Sequence, residues 1–185
     1  MKKLLSSLAL CALPLLAQAA PVVEMTTNKG VIEITLDSAK APKTVANFVS
    51  YAKAGFYNGT VFHRIIDGFM IQGGGFDGKL EQKKTNAPIP NEAANGLKNT
   101  IGSIAMARTA DPNSATAQFF INVANNEFLD YKNPTPQGIG YAVFGKVSKG
   151  MDVVNRIAKT HTGNMKGMDD VPFEPIVIQK VVVKP

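Results

Sequence analysis

The 185 residues suffice for one domain of ordinary size, and an apolar content of 45% supplies a sizeable core. The formal charge of +6 comes from 20 basic and 14 acidic residues with no run of five or more bases, which points to a solvated basic surface and away from a nucleic-acid partner. One cysteine and two histidines exclude a disulfide scaffold and most multi-histidine metal sites, so no metal or other cofactor is expected.

Residues 1–19 read as a secretory signal peptide: Lys2 and Lys3, a largely apolar run from Leu4 to Leu16, then small residues at Ala17 and Ala19. Cleavage after Ala19 keeps both small positions, whereas cleavage after Ala20 would put Gln18 in one of them. The run falls short of a membrane span of about 20 residues, and no later stretch is long and apolar enough, so stable membrane insertion is not expected. Removing Lys2 and Lys3 leaves 18 basic residues against 14 acidic ones, a net charge of +4 for the exported chain. Cys11 lies inside the signal with Leu10, not a small residue, before it; this disfavours a lipid anchor and leaves the mature chain without a thiol. Residues 20–185 form the single folded domain.

In chain order, Val22 to Thr27 and Val31 to Leu36 flank Asn28-Lys29-Gly30, and period-two alternation in the second run predicts a hairpin. Pro42 then opens a short helix with Val45, Phe48, Val49 and Ala52 on its apolar face and Gly55 placed to end it. Thr60 to Ile66 and Phe69 to Gln72 predict two strands around a turn at Asp67-Gly68. Simple alternation puts Phe62 and Arg64 on one face of the first strand and His63 and Ile65 on the other. In the second strand it puts Met70 and Gln72 opposite Phe69 and Ile71. The glycine-rich, aperiodic stretch from Gly73 to Thr100 reads as a long surface loop.

Gly102 to Ala107 and Gln118 to Val123 follow as strands, with a polar loop from Arg108 to Ala117 between them. Asn125 to Tyr131 is a polar turn carrying Phe128 and Leu129, and Asn133 to Gly140 is a further loop. A strand from Tyr141 to Val147, a helix with Met151, Val154, Ile157 and Ala158 on one face, a loop through Gly163 and Gly167, and a last strand from Ile176 to Val183 complete the domain. The count predicts a mainly β fold: a closed eight-stranded antiparallel β-barrel capped by two α-helices. No amphipathic surplus asks for a dimer, so a monomer is expected.

Two stretches invite chemistry. The triple glycine Gly73 to Gly75 lacks the following Gly-Lys-Ser or Gly-Lys-Thr of a phosphate loop and suits a backbone needing close approach or positive φ. The stretch from Phe62 to Gly75 joins Arg64 and Gln72 to Phe62, Phe69 and Met70, with Phe119, Phe120, Phe128, Leu129 and Tyr141 elsewhere in the chain. A guanidinium beside an apolar wall can grip a peptide backbone next to a greasy side chain. Residue pattern alone leaves this reading open against another, in which Arg64 is an exposed strand residue and the aromatics fill the barrel. His63 and His161 read as structural and solvated residues respectively, and the serines lack a base for hydrolysis.

Phe62 to Gly74, the segments GSIAMAR (102–108), QFFIN (118–122) and VFGKV (143–147), in that order and spacing, resemble the cyclophilin-type peptidyl-prolyl cis/trans isomerases. The likeness runs from about Val22 to Val183 and is greatest to the exported cyclophilins of Gram-negative bacteria. It implies an enzyme that accelerates X-Pro isomerisation, without a cofactor, in unfolded or partly folded exported proteins of the periplasm. The alternative is a periplasmic chaperone-like module that binds unfolded Pro-containing chains. By the resemblance Arg64 and Gln72 are the catalytic pair. Phe69, Met70, Phe120 and Leu129 wall the proline pocket and Ala107 lines the peptide groove, while Arg108 stands where the family commonly has asparagine and is expected to contact substrate through its backbone. Phe128 and Tyr141 also fall at substrate positions; many eukaryotic relatives have tryptophan and histidine there, and the change implies weak cyclosporin binding.

Overall fold

The computed structural model describes residues 20–184. The signal peptide read over residues 1–19, Cys11 included, lies outside the described residues. Eight strands close into a barrel in the order β1-β10-β3-β4-β6-β5-β7-β2. They are β1 (Val22–Thr27), β2 (Gly30–Leu36), β3 (Thr60–Ile66), β4 (Met70–Asp77), β5 (Ser103–Met106), β6 (Phe119–Asn122), β7 (Val143–Lys149) and β10 (Val177–Val183). Every pairing in the barrel is antiparallel, and closure leaves no sheet edge to be covered. Among the described residues no helix is long and apolar enough to cross a membrane.

The interior is filled by inward side chains from every strand of the barrel. Val23 and Met25, Ile32 and Ile34, Phe62, Ile71, Phe119 and Phe144 are all shut off from solvent. α1 (Pro42–Lys53) adds Val45, Phe48 and Ala52 to this core, with Val49 half-buried beside them, as the sequence predicts. Phe48 meets the Phe119 ring edge-on at 5.6 Å; burying a side chain of this size contributes roughly 1.5–3 kcal/mol before ordering costs. The helix has no cap from its own first residue. Glu92, far along the chain, instead accepts hydrogen bonds from the Lys43 and Thr44 amides and the Thr44 hydroxyl, satisfying free N–H groups and opposing the positive end of the helix dipole. α2 (Met151–Ala158) buries Val154, Ile157 and Ala158 against the same core.

Three sequence expectations are corrected. First, β4 runs on to Asp77, so Gly73 to Asp77 is strand and not loop. Glycine is there because of close packing: a Cβ on Gly75 would lie 2.3 Å from the Gln118 side chain. Second, the stretch around Gly163 and Gly167 is a hairpin, β8 (Thr162–Met165) and β9 (Met168–Pro172), lying against β3. Third, Phe62 and Arg64 do not share a face. The β3–β4 register shifts between them, so Phe62 and Ile65 both point inward while Arg64 points out. A bulge at His63 breaks the period of two.

Candidate functional site

Arg64, Gln72, Phe120, Ala105 and Val143 are successive register partners across β3, β4, β6, β5 and β7. The neighbouring row is Ile65, Ile71, Ile121, Ile104 and Gly145, and its isoleucines belong to the barrel core. Adjacent rows of a pleated sheet face opposite ways, so the first row lies on the outer wall. There Met70, Ala105, Phe120 and Val143 form a second apolar cluster, with Phe69, Ala107, Leu129 and Tyr141 packed around it.

The result is a pocket of about 240 Å³ lined by Arg64, Phe69, Met70, Gln72, Ala107, Arg108, Phe120, Leu129 and Tyr141. Nine of the ten residues named from the sequence therefore converge. The tenth, Phe128, is 64% exposed and stands outside the lining, its ring stacked on Phe69 at 5.6 Å. Phe69 reaches the pocket beside Met70 because it belongs to the turn before β4, where strand alternation does not apply. A larger hollow of about 490 Å³ lies beside Leu36, Leu97 and Val143. Size does not select the site; the convergence of a guanidinium and an amide on an apolar wall does.

Arg64 is half-exposed, and its Nε donates to Asp170 Oδ2 at 3.3 Å. No other protein hydrogen bond of this guanidinium occurs among the described residues, so its terminal nitrogens are left for a ligand. Gln72 Nε2 donates to Gln118 Oε1 at 3.0 Å. Arg108 closes the far rim: its guanidinium lies 4.5 Å from the Tyr141 ring centroid, and its Nε donates to the Gly140 carbonyl.

Buried polar groups hold the apolar wall from behind. Asn126 Nδ2 donates to the Phe69 carbonyl and to Asn122 Oδ1; Asn122 Nδ2 in turn donates to Asn99 Oδ1 and Ser103 Oγ. Asn99 donates through its amide and side chain to Asp130 Oδ1, one residue beyond Leu129. Such a network is stable only when its members are satisfied, and it ties the Phe69 and Leu129 walls to one scaffold.

His63 lies beside Arg64 in the cleft under β9, not on the opposite face as alternation has it. Its ring packs against Phe76 at 4.5 Å, and its Nδ1 is buried without a partner. Burial, partly countered by a backbone hydrogen bond at Val61, pushes its pKa down to about 4, and the neighbouring Arg64 charge adds to the fall. It is a neutral structural residue at physiological pH. Sequence reasoning missed Gln118 and Asp170 as partners of Gln72 and Arg64. Gln118 opens the QFFIN run and has a visible motif, whereas Asp170 is 106 positions from Arg64 and has none.

Residues 22–183 match the family model described as "Cyclophilin type peptidyl-prolyl cis-trans isomerase/CLD". A peptidyl-prolyl cis-trans isomerase of Streptomyces antibioticus is 55% identical over 161 residues, covering 87% of this chain and 97% of that one. Peptidyl-prolyl cis-trans isomerase B of Escherichia coli is 54% identical over 162 residues, covering 88% and 99%. Among solved structures, a cyclophilin type peptidyl-prolyl cis-trans isomerase of Cryptosporidium parvum superposes with a TM-score of 0.73 at 26% identity, covering 90% of this chain and 98% of that one.

Proposed function

The chain belongs to the cyclophilin-type peptidyl-prolyl cis-trans isomerases, and from that premise we propose that the Arg64 pocket is where it turns the X-Pro bond. The barrier to rotation arises from amide resonance and stands at about 18–20 kcal/mol. In the twisted transition state the prolyl nitrogen regains its lone pair and becomes a hydrogen-bond acceptor. Arg64 donates to that nitrogen only then, so the bond stabilises the transition state and not the ground state. A gain of about 7 kcal/mol would give about five decades of rate.

The apolar wall has a separate task. Phe69, Met70, Phe120 and Leu129 hold the proline ring, while Gln72 and the backbone at Ala107 hold the flanking chain and leave the preceding carbonyl free to swing. The observation that carries this reading is the single register row bearing Arg64, Gln72 and Phe120, which puts the donor beside the wall on a rigid sheet. Arg64→Ala should fold normally and lose most of its catalysis in an NMR exchange assay on a proline peptide; isomerisation at the wild-type rate would overturn the assignment. A holding module would suppress client aggregation with or without Arg64 and leave proline-limited refolding unaccelerated.

We further propose that its clients are exported proteins, whose prolyl steps otherwise take tens of seconds. The support is the signal-like composition of residues 1–19. Expressed in full in a Gram-negative host, the protein should be recovered from the periplasm with Ala20 as its first residue. Recovery in the cytoplasm with residues 1–19 attached would overturn the proposal.

A further inference from the structure

The hairpin β8–β9 turns through Lys166 and Gly167, with φ of 51° and 78°, as a two-residue turn with both central residues left-handed requires. Its ladder then slips. Between the pairs Met165↔Met168 and Gly163↔Val171, β8 contributes one residue, Asn164, and β9 contributes two, Asp169 and Asp170. The extra residue makes a bulge, and Asp170 adopts φ 62°, a left-handed conformation that costs a residue with a side chain more than glycine. The two acids face different partners: Asp169 accepts from Asn164 Nδ2 at 2.8 Å, and Asp170 accepts from Arg64 Nε at 3.3 Å.

We propose that Asp170 is the positioning residue for Arg64, held toward it by this bulge. The inference rests on the role given to Arg64 above. Nε and the two terminal nitrogens share one rigid plane. Anchoring Nε at the outer edge fixes that plane and leaves the terminal N–H groups free for the groove. An arginine otherwise brings several free torsions to the reaction, and ordering them in advance lowers the barrier without a contact between Asp170 and substrate. A strained backbone kept beside a catalytic group is consistent with selection for geometry over stability.

Asp170→Asn and Asp170→Gly, assayed by NMR exchange on an uncharged proline peptide, test the proposal. Turnover should fall about threefold to fivefold in Asp170→Gly, the range open to a half-exposed ion pair, and by less in Asp170→Asn, with peptide affinity changed by less than about twofold. Asp170→Gly should unfold at or above the wild-type temperature because it relieves the φ strain, so its lost activity is not lost structure. The Arg64 Nε–Hε resonance should be protected from exchange in wild type, less protected in Asp170→Asn, whose amide oxygen is a weaker acceptor, and unprotected in Asp170→Gly. In an Arg64→Ala background the same substitutions should leave the residual rate unchanged. Wild-type turnover in Asp170→Gly, or an equal loss in the Arg64→Ala background, overturns the positioning role alone. Full activity in Arg64→Ala itself overturns the role of Arg64, and the positioning role with it.

Discussion

At the scale of single residues, His63 links the site to pH. Its ordinary pKa of 6.5 falls to about 4 in the folded protein because burial against Phe76 penalises the charged ring. The unfolded chain therefore takes up a proton first as the pH drops. Stability should be full above about pH 6.5 and fall until about pH 4, by on the order of 3 kcal/mol. Denaturant unfolding at stepped pH checks this: His63→Gln, whatever its absolute stability, should show a flatter profile across that window, and an unchanged slope would assign the acid sensitivity elsewhere. The same residue explains an error of sequence reading. Arg64 stands out from its type and neighbours, yet its face could not be read, because the bulge at His63 breaks a period of two that nothing in FHRII announces. Asp170 is less legible still, since an ion pair across 106 positions leaves no local pattern.

At the scale of elements, legibility follows burial. The β1–β2 hairpin and both helices carry one apolar face each, and their periodicity announces them. β8–β9 is missed because Thr162, Gly163, Asn164 and Met165 are all half-buried or exposed and show no alternation. It is held by its turn and by packing on β3, where Val171 and Pro172 at the end of β9 are buried but too few to set a period. The glycine end of β4 hides for the opposite reason: Gly73, Gly74 and Gly75 are buried, but they are small so that Phe119 and Gln118 can pass close by. That clearance matters to the site, since Gln118 is what holds Gln72. The triple glycine therefore signals a tight crossing, the reading favoured over a phosphate loop, and its value lies in the side chain it admits.

For the molecule as a whole, barrel closure brings the first strands to the end of the chain, and charge placement there predicts its acid behaviour. Glu24 and Glu33 sit directly opposite each other on β1 and β2, a like-charge pair that would loosen the hairpin. Lys184, just past β10, bridges them at 2.9 and 2.7 Å, and Lys149 of β7 reaches Glu33 at 3.1 Å. One cluster thus ties β1, β2 and β7 to the chain's last residues. Hydrogen bonds from Lys184 and then Lys149 hold Glu33 at a pKa of about 2 against an ordinary 4.5, and Lys184 is raised in return. A carboxylate lowered in this way adds stability above about pH 4.5 and loses that contribution as the pH falls toward 2. This window meets that of His63 only between about pH 4 and 4.5, so the two are separable in one titration above and below that overlap. Glu33→Gln should flatten the stability profile between pH 4.5 and 2 and leave the His63 slope above about pH 4.5 untouched. The difference should shrink in molar salt, which screens exposed pairs. Equal slopes for Glu33→Gln and wild type between pH 4.5 and 2 would show that the cluster does not couple barrel closure to acid.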